Sequence, residues 1–437
     1  MNKLTLFAIC AATAFGAEAL TIENVVARQR LPWNALVDVE FDLTGGAADE
    51  KYVVELTATS ASGLKTYVAK SLLTDPVVGP GSHRLTWDLA SDYPNVRADD
   101  FEIRVTAKTL DDESQVYCVI DVAGGKDATK YPVRYTTTPP VHSAGNTNDV
   151  CKLTEIWLKR VHPANRTFVG NSNAEPTENN DAMSMKLSKD YYLGVFEVTQ
   201  QQWFQLTGTW PSRMSNELWR ATRPLDRYCT QLLFGLNGWT WPDEQTPKSG
   251  SLLEKLRAKT GLSGIGLPTD AQWSFAAKAG APTGKASKCY LRPDGTEYGI
   301  NEVARCSGNG GSTTDDLADF TAGSAPVGSY APNVWGFYDM IGNVSEDCLD
   351  PYASSAVRKA YYVEKGIPFP LQDPQGLPQN EARARSGRLA VTYAGGEGFR
   401  SSSTYSGLYK RAGGYLNYPG EGKPSPARGI RLCVTCE

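Results

Sequence analysis

Residues 326–346 read PVGSYAPNVWGFYDMIGNVSE and combine turn glycines, aromatic residues and two carboxylates. Within this stretch Asp339, Gly342, Val344 and Glu346 stand three, two and two positions apart. Such a turn lets the outer carboxylates and the inner backbone carbonyls surround one ion, and oxygen-only ligands suit a hard cation such as Ca²⁺. Gly342 fits, because close backbone approach in a tight turn favours glycine. From the spacing alone, a solvated acidic turn is the commoner arrangement, because surface carboxylates are frequent.

Four further motifs flank this stretch. They are Phe168-Val169-Gly170, YLGVFEVT at residues 192–199, LPTDAQW at residues 267–273 and Gly429-Ile430-Arg431-Leu432. In chain order, these four motifs and residues 326–344 resemble five signatures of the formylglycine-generating enzyme, or sulfatase-modifying factor, family. The four flanking motifs resemble F-x-M-G, E-V-T, L-P-T-E-A-E-W and G-F-R, and residues 326–344 resemble the longest signature. Each motif alone is weak. Five in the right order make a specific resemblance over Cys151–Glu437.

The resemblance implies an α+β, C-type-lectin-like fold that is rich in loops. It also implies that Asp339, Gly342, Val344 and Glu346 match the family's calcium positions, so we expect a structural calcium site there. Ser345 and Asp347 replace the two aromatic residues of the family's G-N-V-W-E-W. A second calcium site is conceivable in an acidic loop, but clustered charge on a flexible segment is normally just hydrated. The residues of that loop are Asp315, Asp316 and Asp319.

The resemblance also offers a test for catalysis. In the family, two copper-bound cysteines five residues apart follow a G-G-S turn, O₂ is activated at the metal, and soft thiolates select Cu(I). Here the turn is Gly395-Gly396-Glu397, and the matching positions hold Arg400 and Tyr405. No cysteine lies between Cys348 and Cys433, so a one-residue slip in the alignment restores neither ligand. We therefore expect no catalytic residues.

Arginine and tyrosine are frequent where the resemblance places the family's substrate groove. We expect Arg400, Tyr405 and Tyr409 to bind a ligand, because both residue types anchor recognition surfaces. Loop packing with tyrosine hydroxyls at the rim accounts for them equally well. The same segment also contains Lys410, Arg411, Tyr415 and Tyr418.

The remaining chain suggests an exported two-domain protein. Residues 1–19 predict a signal peptide, with Lys3, an apolar core and Ala17-Glu18-Ala19 as the cleavage site. Residues 20–112 contain alternating segments that predict an all-β immunoglobulin- or fibronectin-like sandwich. Residues 113–150 are interpreted as a bridge and linker, and residues 151–437 as the family domain. The protein is expected to be secreted or extracytoplasmic, with no membrane span.

Capping boxes predict three helices in the second half, since in each a hydroxyl caps backbone donors and a Glu or Gln three residues later reaches back. The predicted helices start at Thr199, Ser251 and Thr269 and stop at Gly208, Gly261 and Gly280.

Composition excludes several classes of protein. The net charge is −4 and no basic stripe occurs, so nucleic acid is not an expected partner. Three scattered histidines cannot form an iron triad by sequence proximity, and no G-x-S-x-G is present. The cysteines that remain after the predicted cleavage favour disulfides, and the sequence does not choose among the possible pairings. They are Cys118, Cys151, Cys229, Cys289, Cys306, Cys348, Cys433 and Cys436.

Together these observations predict a calcium-stabilised module that binds a polypeptide or a glycan. The alternative is a copper- and O₂-dependent oxidoreductase that converts a sulfatase cysteine to formylglycine. A third possibility is a surface module with a purely structural role and no ligand.

Overall fold

Two compact units make up the chain in its computed structural model. When residues are grouped by which of them lie close together, unit 1 comprises the chain up to Val119 and Val133–Pro139. Unit 2 comprises Ile120–Pro132 and Pro140–Glu437. The structure describes residues 19–30, 32, 34–60, 63, 65–96, 101–111, 114–170, 182–210, 219–226, 233–234, 247–282, 286–311, 322–386, 391–395, 412–414 and 427–436.

Unit 1 is built from antiparallel strands and one short helix. Its two sheets have the order β1-β2-β6 and a central β3 that pairs with β4, β5 and β7. The elements are β1 (Thr21–Gln29), β2 (Leu36–Thr44), β3 (Tyr52–Ser60), β4 (Thr66–Val68), β5 (Val77–Val78), β6 (Gly81–Asp88), α1 (Leu89–Asp92) and β7 (Phe101–Thr109).

Both sheets of unit 1 contribute to a single core. Val39 and Phe41 of β2 and Leu56 of β3 belong to the same buried cluster. The alternation of Val37 to Leu43 therefore marks a real strand with one face in the core, as the sequence predicts. The all-β character is seen in the structure, whereas immunoglobulin- or fibronectin-like connectivity stays a prediction.

The expected bridge at residues 113–150 is mostly ordered structure. It contains β8 (Tyr117–Asp121) and β9 (Val133–Thr136), and Cys118, Val119 and Ile120 are fully buried. Within unit 2, the N–H of Tyr131 donates to the carbonyl of Lys259, and Lys152 Nζ donates to the carbonyl of Ser143. Residues 120–132 and 140–150 are thus part of unit 2, because their backbone groups find partners there.

Unit 2 mixes short strands and short helices, which agrees with an α+β, loop-rich domain. Its strands are β10 (Glu155–Val161), β11 (Phe168–Val169), β12 (Ser184–Lys186), β13 (Tyr191–Gly194), β14 (Ile265–Gly266), β15 (Ser345–Pro351), β16 (Leu371–Gln372), β17 (Val391–Ala394), β18 (Ala412–Gly414), β19 (Arg428–Gly429) and β20 (Cys433–Thr435). Its helices are α2 (Val150–Leu153), α3 (Gln200–Thr207), α4 (Leu252–Thr260), α5 (Asp270–Ala277), α6 (Ile300–Val303), α7 (Ser355–Glu364) and α8 (Gln379–Ser386). Short 3₁₀ helices span Arg220–Thr222, Ala286–Cys289 and Ser307–Asn309.

Two sheets position the functional residues. In the first, the C-terminal strand β20 lies between β13 and β14, with Leu193 opposite Cys433. In the second, β15 is central and pairs with β17 and β19, so that Glu346 lies opposite both Ala394 and Gly429. Residues distant in sequence therefore converge on the start of β15.

The predicted helices are α3, α4 and α5. Thr199 and Thr269 form complete capping boxes with the glutamine three residues on. At α4, Ser251 accepts from the N–H of Glu254, but the Glu254 carboxylate accepts from the N–H of Gly250, so the reciprocal half of this box is missing. Gly208 and Gly261 adopt the left-handed conformation at the C-caps. Helix α5 ends at Ala277, before the predicted stop at Gly280.

The expected disulfides are absent among the seven cysteines that the structure describes. None of these seven forms a disulfide, and all but Cys436 are buried. They act as small apolar side chains or weak donors; Cys289 Sγ, for example, donates to the carbonyl of Lys278 at 3.4 Å. The prediction was wrong for these positions because buried cysteine also serves packing, and Cys229 lies outside the described residues.

Searching the described part of the chain for a membrane-spanning helix finds none with sufficient length and apolar character.

Candidate functional site

The turn before β15 has an unusual backbone. Asp339, Gly342 and Asn343 all have positive φ, at 56°, 74° and 52°. A Cβ on Gly342 would lie 2.2 Å from the carbonyl oxygen of Arg305, so glycine is required there, as the sequence predicts. Non-glycine residues adopt this conformation only where surrounding contacts hold it.

Glu197 supplies such contacts. It follows β13, and its Oε1 accepts from the N–H of Val344 at 3.0 Å, while its Oε2 accepts from Asn343 Nδ2 at 2.6 Å. The Asn343 side-chain oxygen in turn accepts from the N–H of Ala325. A fully buried carboxylate therefore holds the turn from the side opposite β15.

Asp339 is almost completely buried but only half satisfied. Its Oδ2 accepts from the N–H of Gly328 at 2.7 Å. Its Oδ1 is buried without a hydrogen-bond partner. A buried carboxylate oxygen without a donor is unfavourable, so this atom marks a position where a proton or a cation would stabilise the structure.

Glu346 is fully engaged by protein groups. Arg431 donates from Nη2 to Oε1 at 2.6 Å and from Nε to Oε2 at 2.8 Å, and Trp273 Nε1 donates to Oε2 at 2.6 Å. Arg431 also donates to the carbonyls of Gly194, Val195 and Tyr338. This arginine joins β15 to the loop after β13, and its guanidinium is completely buried.

Three carboxylates, Glu197, Asp339 and Glu346, thus share one guanidinium, that of Arg431; we call these four residues the carboxylate cluster. Burial raises the pKa of Asp339 to about 6, and the neighbouring Glu346 contributes. Burial, Asp339 and Glu346 raise the pKa of Glu197 well above its usual range. Burial alone would lower the pKa of Arg431, but the attraction of Glu346 raises it above its ordinary value. Burial is the main cause of the raised acid pKa values, and repulsion between the neighbouring carboxylates adds to it.

A second ion pair follows directly along β15. Asp347 pairs with Arg428, and both side chains are buried. Asp347 stands where the family resemblance expects an aromatic residue. The chain therefore has a buried carboxylate at this position, and an arginine from β19 balances its charge. The two side chains together change the charges at this position and keep its space filled.

The structure assembles the predicted calcium positions only in part. Asp339 and Glu346 both belong to the carboxylate cluster. Gly342 and Val344 lie between them in the sequence. However, both Glu346 oxygens are engaged by Arg431 and Trp273. Across the described residues, no group of three or more His, Cys, Asp or Glu side chains is arranged to hold a metal ion.

Several other predicted site residues cannot be placed. Arg400, Tyr405 and Tyr409 lie outside the described residues, as do Lys410, Arg411, Tyr415 and Tyr418 and the acidic loop of Asp315, Asp316 and Asp319. The expected ligand-binding surface and second calcium site therefore stay predictions.

Residues 165–405 match the family described as "Sulfatase-modifying factor enzyme 1-like domain". The chain belongs to this family. Three residues of the carboxylate cluster each stand in a different family-like motif; they are Glu197, Asp339 and Arg431. Glu346 lies two residues beyond the longest of these motifs. The match confirms the resemblance on which the sequence interpretation depends.

Two proteins of known name are similar to parts of this chain. "Chaperone protein LppX" of Paenibacillus barcinonensis is 28% identical over 178 residues, covering 37% of this chain and 62% of that protein. "Formylglycine-generating enzyme" of Thermomonospora curvata is 31% identical over 127 residues, covering 29% of this chain and 38% of that protein. The chain thus spans less than two thirds of each.

Two solved structures are similar to this chain at lower sequence identity. "Treponema denticola variable protein 1" has a TM-score of 0.42 at 20% identity, covering 68% of this chain and 99% of its own. CarF has a TM-score of 0.33 at 15% identity, covering 62% and 97%.

Sequence reasoning missed the role of Glu197 and Arg431. Both stand in motifs that the family resemblance identifies, but the resemblance assigns no role to their charges. The available signal was the apolar context: Glu197 lies between Phe196 and Val198, and Arg431 between Ile430 and Leu432. A charge in such a run is either exposed on an alternating strand or paired inside, and a matching acid and base favour pairing.

Proposed function

We propose that this chain is a non-catalytic member of the sulfatase-modifying factor family, an exported module that binds a polypeptide and is stabilised by calcium. The observation that carries this proposal is the replacement of both copper-ligand positions by Arg400 and Tyr405, with no cysteine from 349 to 432. A guanidinium has no lone pair to offer a metal, and a phenol is not a soft ligand for Cu(I).

The thiols on either side of this gap offer no substitute. Cys348 and Cys433 are both buried in the core of unit 2. Burial raises the pKa of the Cys433 thiol well above its ordinary value, which disfavours the thiolate that copper would require. Copper- and O₂-dependent formylglycine formation therefore stays the alternative, and it needs ligands that the sequence does not supply.

A polypeptide is preferred to a glycan as the ligand for two reasons. The segment from Arg400 to Tyr418 contains four tyrosines and two arginines, and these residue types anchor protein recognition surfaces. The relative from Paenibacillus barcinonensis carries the name of a chaperone, a class that acts on polypeptides. A C-type-lectin-like fold for unit 2 is part of the same proposal, because such folds present loops as recognition surfaces.

Calcium is supported by the charge of the carboxylate cluster. Three carboxylates face one guanidinium, and Asp339 Oδ1 has no donor. A divalent cation beside Asp339 would balance this charge, with the carbonyls of Gly342 and Val344 as further oxygen ligands. Glu346 would join the ligand set only by giving up part of its contact with Arg431. Protonation of Asp339 and Glu197 is the competing way to neutralise the cluster.

Catalysis and binding can be tested with the same preparation. The purified chain is incubated with copper and a peptide that carries the sulfatase cysteine motif, and the peptide mass is then measured. We expect no change, and the mass loss that marks conversion of the cysteine to an aldehyde would overturn the proposal. A family member with both cysteines is the positive control.

Binding is measured on the same protein. Arrays of unfolded peptides and of glycans are probed with the wild type and with the double variant Arg400→Ala, Tyr405→Ala. We expect peptide binding that the double variant loses, with Tyr67→Ala in unit 1 as the control. Glycan binding alone, or no binding to either array, would contradict the polypeptide proposal.

A further inference from the structure

Unit 2 contains a groove that is separate from the carboxylate cluster. It has a volume of about 340 Å³ and lies between α3, α4 and the segment of residues 126–131. Three leucines, Leu206, Leu252 and Leu256, form its apolar floor, and all are buried in the unit. This volume falls within the range of small-ligand sites, about 300–1,000 Å³.

The polar lining of the groove is predominantly positive. Lys126, Lys255 and Lys259 reach it, together with Asp127, Tyr131 and Thr209. Lys126 is neutralised by Asp127, to which its Nζ donates at 2.8 Å. Among the described residues, no ion pair joins Lys255 or Lys259 to a carboxylate. Within the described part of the chain, two lysines thus line the groove beside its leucines with no carboxylate paired to either.

Lys259 is held in a fixed position. Its Nζ donates to the carbonyl of Lys126 at 2.7 Å and to Tyr131 Oη at 3.4 Å, and it lies 4.7 Å from the centre of the Tyr131 ring. These contacts orient the ammonium and leave one of its three protons for another acceptor. Ordering a lysine in this way normally costs side-chain entropy, so a preoriented donor favours binding.

The spacing of the two lysines points to the ligand. Lys255 and Lys259 stand four residues apart on α4, on the same helix face, where like charges repel. Basic residues toward the C-terminal end of α4 interact favourably with the helix dipole. This explains why basic residues occur there, but it does not explain the groove beside them. An anion between the two ammonium groups relieves their repulsion.

We propose that this groove binds a carboxylate joined to an apolar group, with the carboxylate between Lys255 and Lys259 and the apolar group on Leu206, Leu252 and Leu256. The carboxylate could belong to a free small molecule or to the C-terminal residue of a peptide. This assignment does not depend on the proposed function, because the lining residues named above are neither the expected ligand-binding residues nor members of the carboxylate cluster.

Titration calorimetry on the full chain tests this site with four probes. These are 4-phenylbutyrate, its neutral amide, a short peptide that ends in phenylalanine with a free carboxylate, and the same peptide with an amidated end. We expect saturable binding of at least one carboxylate probe and none of its neutral partner. The probe that binds identifies the source of the carboxylate.

The variant Lys255→Glu separates ligand binding from folding. It places a glutamate four residues before Lys259, the favourable order for a helical ion pair, so the protein should be at least as stable as the wild type. Affinity should nevertheless fall at least about tenfold, because the new carboxylate occupies the site. Lys365→Gln on the surface of unit 2 is the matched control, with unchanged affinity. The proposal is overturned if no carboxylate probe binds at millimolar concentration, if the neutral probes bind equally well, or if Lys255→Glu binds like the wild type.

Discussion

Arg431 Nη2 donates to Glu346 Oε1 at 2.6 Å, in a place where neither side chain touches solvent. The two residues are far apart in sequence: Glu346 lies in β15, and Arg431 lies between β19 and β20. Three further contacts tie the same guanidinium to the carbonyls of Gly194, Val195 and Tyr338. This ion pair is therefore a fixed junction between the C-terminal segment, β13 and the turn that precedes β15.

Removing the arginine should destabilise unit 2 strongly. Arg431→Met leaves Glu346 as an uncompensated buried charge, so we expect a loss of about 3–5 kcal/mol in the free energy of unfolding. Urea unfolding followed by tryptophan emission measures this, because Trp273 donates to Glu346 and reports on the site. Arg385→Met breaks a surface ion pair with Glu364 and serves as the control, with a much smaller change. Equal effects of the two substitutions would contradict a junction at Arg431.

Calcium should raise the melting temperature through Asp339. A ligand that binds only the native state stabilises it by about 2.7 kcal/mol at one hundred times its Kd. We therefore expect the chelator EGTA to lower the melting temperature and calcium to restore it. Asp339→Asn should abolish this response, because it removes the charge and leaves only a neutral oxygen beside the turn.

The same variant distinguishes a calcium site from a protonated acid. At pH 7.5 and without calcium, Asp339→Asn should be more stable than the wild type, because a buried charge without a donor is removed. The exposed Asp49→Asn in unit 1 is the control for general charge effects. An unchanged melting temperature of the wild type with and without EGTA would remove calcium from the proposal.

The sequence predicted the scaffold of the site better than its electrostatics. Local signals were sufficient for α3 and α5, because a capping box depends on residues three positions apart. Local signals also predicted why position 342 is a glycine, because the turn requires a left-handed backbone there. The family resemblance then brought Asp339 and Glu346 to one region.

The partners of these acids could not be predicted in the same way. Arg431 reaches Glu346 only because β15 pairs with β19, and Arg428 reaches Asp347 through the same pairing. Such pairings join segments more than eighty residues apart, and nothing in the local pattern of either segment specifies them. The same holds for residues 113–150: their polar composition indicates a linker, whereas the N–H of Tyr131 donates to the carbonyl of Lys259 and that of Tyr135 to the carbonyl of Leu72, both distant in sequence.

Stability should decrease as the pH rises from about 4 to about 7. Burial, followed by repulsion from Asp270, raises the pKa of Asp350 to about 7, against about 3.9 in the unfolded chain. Between these values the folded state binds more protons than the unfolded state, so the free energy of unfolding falls with increasing pH and levels off above about 7. Asp339, with a pKa raised to about 6, acts in the same direction.

Asp350→Asn isolates this contribution. Asp350 accepts from the N–H of Asp270 at 2.6 Å, which an asparagine oxygen can still do. At pH 8 the variant should be more stable than the wild type by on the order of 2 kcal/mol, and at pH 4 the two should be nearly equal. Urea unfolding at several pH values measures the slope, with the exposed Asp49→Asn as the control. A wild type that gains stability between pH 5 and 7.5 would show that other groups dominate.

The seven described cysteines should behave as free thiols of very different reactivity. The thiolate is the reactive form, and burial raises the pKa of Cys151 to about 12 and that of Cys289 to about 11, so both should react slowly with Ellman's reagent in the native protein. Cys436 is only partly buried and should account for the fast phase, which Cys436→Ser removes. A reductant should leave the unfolding midpoint unchanged, because loss of a structural disulfide would cost about 2–5 kcal/mol. A lower midpoint in reductant would instead show that the protein forms a disulfide bridge that is absent from this structure.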